Sequence, residues 1–299
     1  MNGFLNILKP PGMTSAAVVA VVRRLTGEKR VGHAGTLDPE AAGVLPVMVG
    51  KAARLFDYLV DKEKTYVAEV AFGQATDTQD ATGRVVATGE RYPDRAAVER
   101  AAASLTGDIW QRPSAYSAIK MGGKPLYQRA RQGESVEAPP RQVHVESIRV
   151  TAEQPGHGFL MTIRCGRGTY IRSICNDMGE LVGCPAHMRF LLRAQSGVFD
   201  LDTAMTLEEA EALAQEGLLA RRLIPLDMPL AHLPRLDVPP RLERLVRNGA
   251  KLPLADQAPE EGRPVRIYLS GAFWGLAARE GDMLAWRAMI APETEEMHG

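Results

Sequence analysis

Between Ile224 and Pro240 the chain reads IPLDMPLAHLPRLDVPP, five prolines within seventeen residues. A proline fixes φ at about −65° and carries no amide hydrogen, so neither a helix nor the interior of a sheet runs through such a stretch. The 299 residues are therefore expected to form two units, a large one over 1–230 and a small one over 231–299. With 28 Gly and 20 Pro, turns and loops should dominate over a helical bundle. The balance of 45% hydrophobic and 24% charged residues is that of a globular protein able to bury a substantial core.

Within the large unit, FLNILKPPGMTS reads as a short strand and a turn, with Thr14 or Ser15 as helix cap. Val18, Val19, Val22 and Leu25 follow at helical spacing, and Gly27 stops the helix. Residues 31–50, VGHAGTLDPEAAGVLPVMVG, read as a structured loop returning to a buried segment. TYVAEVAFG is a strand with Tyr66, Ala68, Val70 and Phe72 on one face, and Asp94 caps a helix reaching Leu105. Residues 111–141 are rich in Gly, Pro and positive charge and read as a long loop with a short helix near Leu126–Arg131. QVHVESIRVTA and GFLMTIRCG make a hairpin around Gln154–Gly156. Thr169 is expected to open a helix ending near Gly183, and Thr206 with Glu209 forms a capping box. Past the prolines come a short helix (241–248) and the β-runs VRIYLS, FWGLAAR and MLAWRAMI, a small barrel-like domain with Trp274 and Trp286 in its core. The fold class is α+β.

Several classes of function are disfavoured. The most apolar helical stretch is stopped by Arg23 and Arg24, far short of the roughly 20 residues that a membrane span needs. MNGFLNILKP lacks a basic region followed by an apolar one, so no secretory signal is expected. Three widely spaced cysteines (Cys165, Cys175, Cys184) fit neither a paired disulfide framework nor a metal motif, and a cytoplasmic location follows as the expectation. Gly50-Lys51-Ala52 fails as a phosphate loop, Gly166-Arg167-Gly168 lacks a third glycine, and no HExxH or CxxC occurs. No cofactor and no metal are expected.

The formal net charge is zero, but its distribution is uneven. Residues 1–66 carry 9 basic against 6 acidic residues and 110–193 carry 12 against 6, whereas 194–299 carry 11 against 17. Two basic stretches could fold into one face that suits a polyanion; a normally mixed surface is the plainer alternative.

One candidate for chemistry remains, Gly35-Thr36-Leu37-Asp38-Pro39. A residue before proline is held out of the α region, and the flanking glycines allow close approach to a substrate. On spacing alone, an Asp38 that merely caps a turn is the plainer reading.

GHAGTLDPEAAGVLPVMVGKAARL closely resembles the catalytic motif of the bacterial tRNA pseudouridine synthase family, the TruB type. DKEKTYVAEVAFGQATDTQDATG, PSAYSAIKMGGKPLYQRARQG and GRGTYIRSICNDMGELVGCPAHMRFLLRAQSG also resemble family segments, in order, as do GFLNILKPPGMTS and MTLEEA. The resemblance spans roughly residues 3–230, with a weaker likeness of the C-terminal region to a PUA-type RNA-binding domain. It implies a pseudouridine synthase fold, with a mixed, mainly antiparallel sheet flanked by helices. The implied reaction isomerises a uridine at position 55 in the T-loop of tRNA after the base is flipped out. The implied catalytic residues are Asp38, Tyr66 and Arg172, Arg172 being the fixed cation that an ionised carboxylate in a dry pocket requires. Tyr170 and Leu191 would line the base pocket, and His33 would support the opened loop. Lys120, Lys124, Arg129 and Arg131 would form an arm on RNA phosphates, with Arg193 on the same surface. Arg241, Arg244, Arg247 and Lys251 could face the acceptor stem. The partner is tRNA, without a guide RNA, and the protein is expected to be a monomer.

Without the resemblance, Tyr66 would be read as core and Tyr170 and Arg172 as a helix opening. Two rivals stand beside the synthase: a non-catalytic RNA-binding or RNA-folding protein, and a glycoside or nucleoside hydrolase. The second needs another positioned carboxylate beside Asp38, for which Glu40 or Asp57 are the candidates.

Overall fold

The computed structural model describes residues 1–59, 63–114, 116, 119–121, 123–126, 129, 132, 134, 136, 138–254 and 259–292. Its main sheet has nine strands: β1 (Gly3–Lys9), β2 (Val31–His33), β3 (Ala42–Val49), β4 (Lys64–Phe72), β7 (Gly107–Gln111), β10 (Arg141–Gln154), β11 (Gly158–Cys165), β12 (Ala186–Ser196) and β13 (Phe199–Asp200). Two small hairpins lie outside it, β5 (Gln74–Thr76) with β6 (Val85–Thr88), and β8 (Lys120–Met121) with β9 (Lys124–Pro125). The order across the main sheet is β1-β3-β12-β4-β11-β10-β7, with β2 on β3 and β13 on β12. Pairing is antiparallel throughout except between β3 and β12, where Leu192 faces Ala42 and Arg193 faces Gly43. The fold is thus mixed and mainly antiparallel, as expected.

Helices cover the sheet at both of its ends. α2 (Arg95–Ser104), capped by Asp94, and α3 (Ile171–Val182), stopped by Gly183 at φ 70°, pack on β4, β10, β11 and β12. α1 (Ser15–Thr26), between the Thr14 cap and Gly27 at φ 66°, and α4 (Leu207–Gln215), with its Thr206–Glu209 capping box, bury Leu5, Ile7, Leu45 and Val47. The opposite face of β1 and β3 presents Phe4, Val44 and Met48 to the 3₁₀ segment Gly50–Tyr58. That explains a segment the chain disguises: VLPVMV is apolar without alternation because β3 is buried on both faces.

Two details depart from expectation. The 31–50 stretch is a loop only over its middle, since it opens with β2 and closes with β3. The cap of α3 is Tyr170 rather than Thr169, whose hydroxyl donates instead to the Gly166 carbonyl.

The C-terminal sheet has five strands, ordered β14 (Arg235–Val238), β16 (Pro264–Leu269), β17 (Ala272–Glu280), β18 (Met283–Met289) and β15 (Leu252–Pro253), with the short α5 (Glu243–Arg247); its edge strand β14 lies inside the proline-rich stretch, between Pro234 and Pro239. Trp274 is buried in its core, and the Trp286 indole donates to the Ala250 carbonyl. This small domain is joined to the large one: Leu276, Ala288 and Ile290 pack with Leu55 and Phe4, and Lys51 donates to the Ala291 carbonyl at 2.6 Å.

Candidate active site

The seam between β3 and β12 positions the site. The loop 34–41 connects β2 to β3, and its Leu37 and Ala41 pack in one cluster with Tyr66 of β4 and Leu191 of β12. Gly43, at φ 114°, lies so close to β12 that an added Cβ would press on the Arg193 backbone, 2.7 Å from its nitrogen. Only glycine permits that approach.

Three hydrogen-bond donors fix the loop through its backbone. The Ser15 hydroxyl donates to the Leu37 carbonyl (3.1 Å) and accepts from the Leu37 amide (2.9 Å). The Lys9 ammonium, fully buried, donates to the carbonyls of Pro10 (2.8 Å), Pro39 (2.8 Å) and Ala41 (2.6 Å). Burial lowers its pKa from 10.5 to about 8, against the opposing pull of Glu40 and Asp38. Arg193 holds the carbonyls of Gly35, Thr36 and Val44.

The Asp38 side chain projects from this fixed frame and is 39% exposed. It meets Arg172, only 5% exposed, in a two-pronged pair: Nε to Oδ2 at 2.9 Å and Nη2 to Oδ1 at 3.3 Å. Arg172 enters from the first turn of α3 and also donates to the carbonyls of Thr78 (3.2 Å) and Tyr116 (3.3 Å). The Asp80 carboxylate stands 3.8 Å away, itself gripped by the hydroxyls of Thr78 and Thr82 and the Thr82 amide. The loop bearing Thr78 and Asp80 is tied to β12 by backbone bonds between Gln79, Ala81 and Met188. Gln79 itself sits at φ 65°, a conformation that non-glycine residues adopt only when the surroundings impose it.

Tyr66 stands on β4 directly across from Arg193 and is 7% exposed, packed in one cluster with Leu37, Ile171 and Leu191. Burial raises the pKa of its hydroxyl, while the Arg193 guanidinium beside it opposes the rise. Tyr170 is anchored through its backbone, which both donates to and accepts from the Gln111 amide, and Arg141 lies 5.9 Å above its ring. The structure thus brings Asp38, Tyr66, Arg172 and Leu191 together.

His33, on β2, is half-buried, and its Nδ1 is buried without a hydrogen-bond partner. Burial first, and Arg193 second, keep its pKa below the usual value, favouring a neutral ring. Arg193 corrects an expectation: at 1% exposure it cannot belong to a phosphate-facing surface, and its charge is spent on loop carbonyls. In the expected basic arm, Arg129 pairs with Glu134 at 2.7 Å. Arg131 and the side chains of Lys120 and Lys124 lie outside the described residues. The sequence reading missed Lys9, Ser15 and Asp80. Their signal was present in the segments KPPGMTS and ATDTQDATG, but the contacts that matter, from Lys9 and Ser15 to distant backbone and from Asp80 to Arg172, leave no spacing pattern.

The three cysteines are buried and free, and among the described residues no cluster of His, Cys, Asp or Glu could hold a metal ion. Among the described residues no helix is long and apolar enough to cross a membrane.

The site is thus a buried arginine paired with a partly exposed aspartate on a mixed sheet, in a chain that ends in a β-rich domain. The chain is similar along 97% of its length to a chain of the crystal structure of a Cbf5-Nop10-Gar1 complex, with a TM-score of 0.73, 25% identity and 85% of that chain covered. It matches the TruB family pseudouridylate synthase N-terminal domain over residues 23–171 and the tRNA pseudouridylate synthase B C-terminal domain over residues 172–231. It is 44% identical over 266 residues to the tRNA pseudouridine synthase B of Bacillus subtilis (strain 168), covering 87% of this chain and 86% of that one. With the protein of the same name from Alkaliphilus oremlandii (strain OhILAs) it shares 43% identity over 283 residues, 92% of each chain. The chain belongs to the TruB family of pseudouridylate synthases.

Proposed function

We propose that this protein isomerises a uridine of tRNA to pseudouridine, at position 55 in the T-loop, with residues 1–230 as catalytic domain and 231–299 as a PUA-like RNA-binding domain. The observation that carries the reading is the pairing of a partly exposed Asp38 carboxylate with a buried, permanently charged Arg172. A structural ion pair has no need to leave its carboxylate open while burying the cation.

The target atoms are stacked inside folded RNA, so the nucleotide is flipped out, at a cost of a few kcal/mol. Asp38, oriented by its two-pronged contact with Arg172, attacks the nucleotide or removes a proton to start cleavage of the N-glycosidic bond. The detached uracil turns against the Tyr66 ring and the Leu191 wall, and rejoins the ribose through carbon 5. The Tyr66 hydroxyl assists loss of the carbon-5 proton. Tyr170 borders the ribose and base, and His33, as a neutral ring, stacks in the space left by flipped nucleotides. Arg129, with Lys120, Lys124 and Arg131, contacts phosphates. Arg241 and Arg244 are exposed, whereas Arg247 and Lys251 are paired with Glu243 and Glu280, so only the first two are available to the acceptor stem without breaking an ion pair. The reaction needs no guide RNA and no cofactor, and the enzyme works as a cytoplasmic monomer.

The test is incubation of purified protein with unmodified tRNA transcript in EDTA, followed by nucleotide-resolution mapping of pseudouridine. Conversion confined to the T-loop uridine is expected, and Asp38→Asn should bind the transcript with wild-type affinity yet convert none. Binding without conversion by the wild type would point to an RNA-binding protein instead. Near-normal turnover by Asp38→Asn would remove Asp38 from its role.

A further inference from the structure

Arg193 is the bulkiest of the fully buried side chains. Among the described residues it forms no ion pair. A buried cation without a carboxylate is expensive, and an apolar side chain of similar volume would pack the position at less cost. What the guanidinium does, and an apolar side chain cannot, is read from its three contacts. Nε donates to the Val44 carbonyl at 2.7 Å, Nη2 to Gly35 at 3.0 Å and Nη1 to Thr36 at 3.5 Å. These carbonyls lie on both sides of Asp38 in the chain, three and two residues before it and six after.

The same residue is the register point of the sheet. Its backbone faces Gly43 of β3 on one side and Tyr66 of β4 on the other. The one side chain therefore ties together the loop that carries Asp38 and the strand that carries Tyr66. Ser15 and Lys9 hold the loop's intervening backbone at Leu37, Pro39 and Ala41. Among the described residues, Arg193 is the one whose side chain hydrogen-bonds to the loop from the strand that also bears the pocket residue Leu191. Its effect on the Tyr66 hydroxyl, pulling against burial, agrees with this placement.

We propose that Arg193 is a positioning residue for the isomerisation, its forked guanidinium setting the Asp38 carboxylate relative to the Tyr66 ring without touching the RNA. The proposal rests on the pseudouridine reading above. Lysine at 193 keeps the buried charge but lacks the planar fork that holds the Gly35 and Val44 carbonyls from two separate nitrogens.

The experiment compares wild type with Arg193→Lys, and with Arg193→Gln as a second variant should the lysine form not fold. Three readouts are taken: single-turnover pseudouridine formation over a range of tRNA concentrations, tRNA affinity, and amide hydrogen exchange by peptide. We expect the maximal rate to fall about 30–100-fold, the size of effect that a misplacement near 1 Å produces. Affinity should stay within about twofold, since the residue makes no RNA contact. Faster exchange should be confined to the peptide spanning 34–45. A rate within about threefold of wild type with unchanged exchange in that peptide would overturn the proposal. So would a rate loss accompanied by faster exchange across the whole sheet, which marks a merely structural residue. If the wild type converts no uridine, the function reading fails, and localised against unchanged exchange in 34–45 still decides whether Arg193 sets the loop.

Discussion

Replacing Lys9 with methionine removes a buried charge while keeping an unbranched side chain of similar length. Two effects oppose each other. Three short bonds to the Pro10, Pro39 and Ala41 carbonyls are lost, each worth roughly 1.5–3 kcal/mol because the donor is charged. Against this, the ammonium is penalised in the folded state. Its pKa stands at about 8 rather than the ordinary 10.5, a difference worth about 3 kcal/mol at neutral pH. The bonds outweigh the penalty, so Lys9→Met should be less stable than wild type by roughly 2–5 kcal/mol at pH 7. The pH dependence follows from the sign of the shift. With the native pKa depressed, the unfolded chain binds more protons at this position between about pH 8 and 10.5, and wild-type stability rises with pH through that window. The methionine variant has no such rise, so the stability gap should widen by about 2.5 kcal/mol between pH 7 and pH 10. Urea unfolding of both proteins at pH 7, 8, 9 and 10, followed by far-ultraviolet circular dichroism, measures the gap directly, because every other titrating group cancels in the difference. A gap that stays constant or narrows toward pH 10 would refute the reasoning. It would mean that the three carbonyls hold the Lys9 proton more firmly than burial expels it.

Other perturbations probe the same frame. Arg172→Lys retains the charge but loses the two-pronged contact with Asp38 and at least one carbonyl bond, so the single-turnover rate should drop about 10–100-fold with tRNA affinity unchanged; a loss under threefold would show that a point charge suffices. Gly43→Ala forces a Cβ against the Arg193 backbone at a φ of 114°, and should cost about 3 kcal/mol or more, read as a lowered thermal midpoint. An unchanged midpoint would mean that β3 and β12 can separate at little cost.

How legible this was in the sequence depended on whether a feature is local. Caps were readable because each is a short-range bond: Thr14, Asp94 and the Thr206–Glu209 box all stand where propensity places them. The β10–β11 hairpin and the face of β4 bearing Tyr66 followed from alternation. β12 did not, although it is central. Bulges between Met188 and Phe190 and between Arg193 and Gln195 shift which residues face inward, so AHMRFLLRAQS never alternates cleanly. The same concealment misplaced Arg193, because an arginine in a basic segment reads as surface until the strand beneath it is known. Asp38 was found as a motif, yet spacing could not distinguish a nucleophile from a turn cap. The difference lies in Arg172, which is 134 residues away in the chain.

The asymmetry of that pair bears on the chemistry itself. In the reaction proposed above, whether Asp38 bonds to the nucleotide or accepts a proton, its negative charge is lost for part of the cycle. A buried arginine whose only partner was Asp38 would then stand as an uncompensated charge, a state costing several kcal/mol that would raise the barrier. Arg172 avoids this, since Thr78 and Tyr116 offer it carbonyl oxygens and the Asp80 carboxylate stands within 3.8 Å. Asp80 is in turn held by Thr78 and Thr82, so it keeps its place when Asp38 reacts. The cation thus has fixed protein oxygens about it at every stage of the proposed reaction, which would let the Asp38 carboxylate gain and lose its charge without the site having to rearrange.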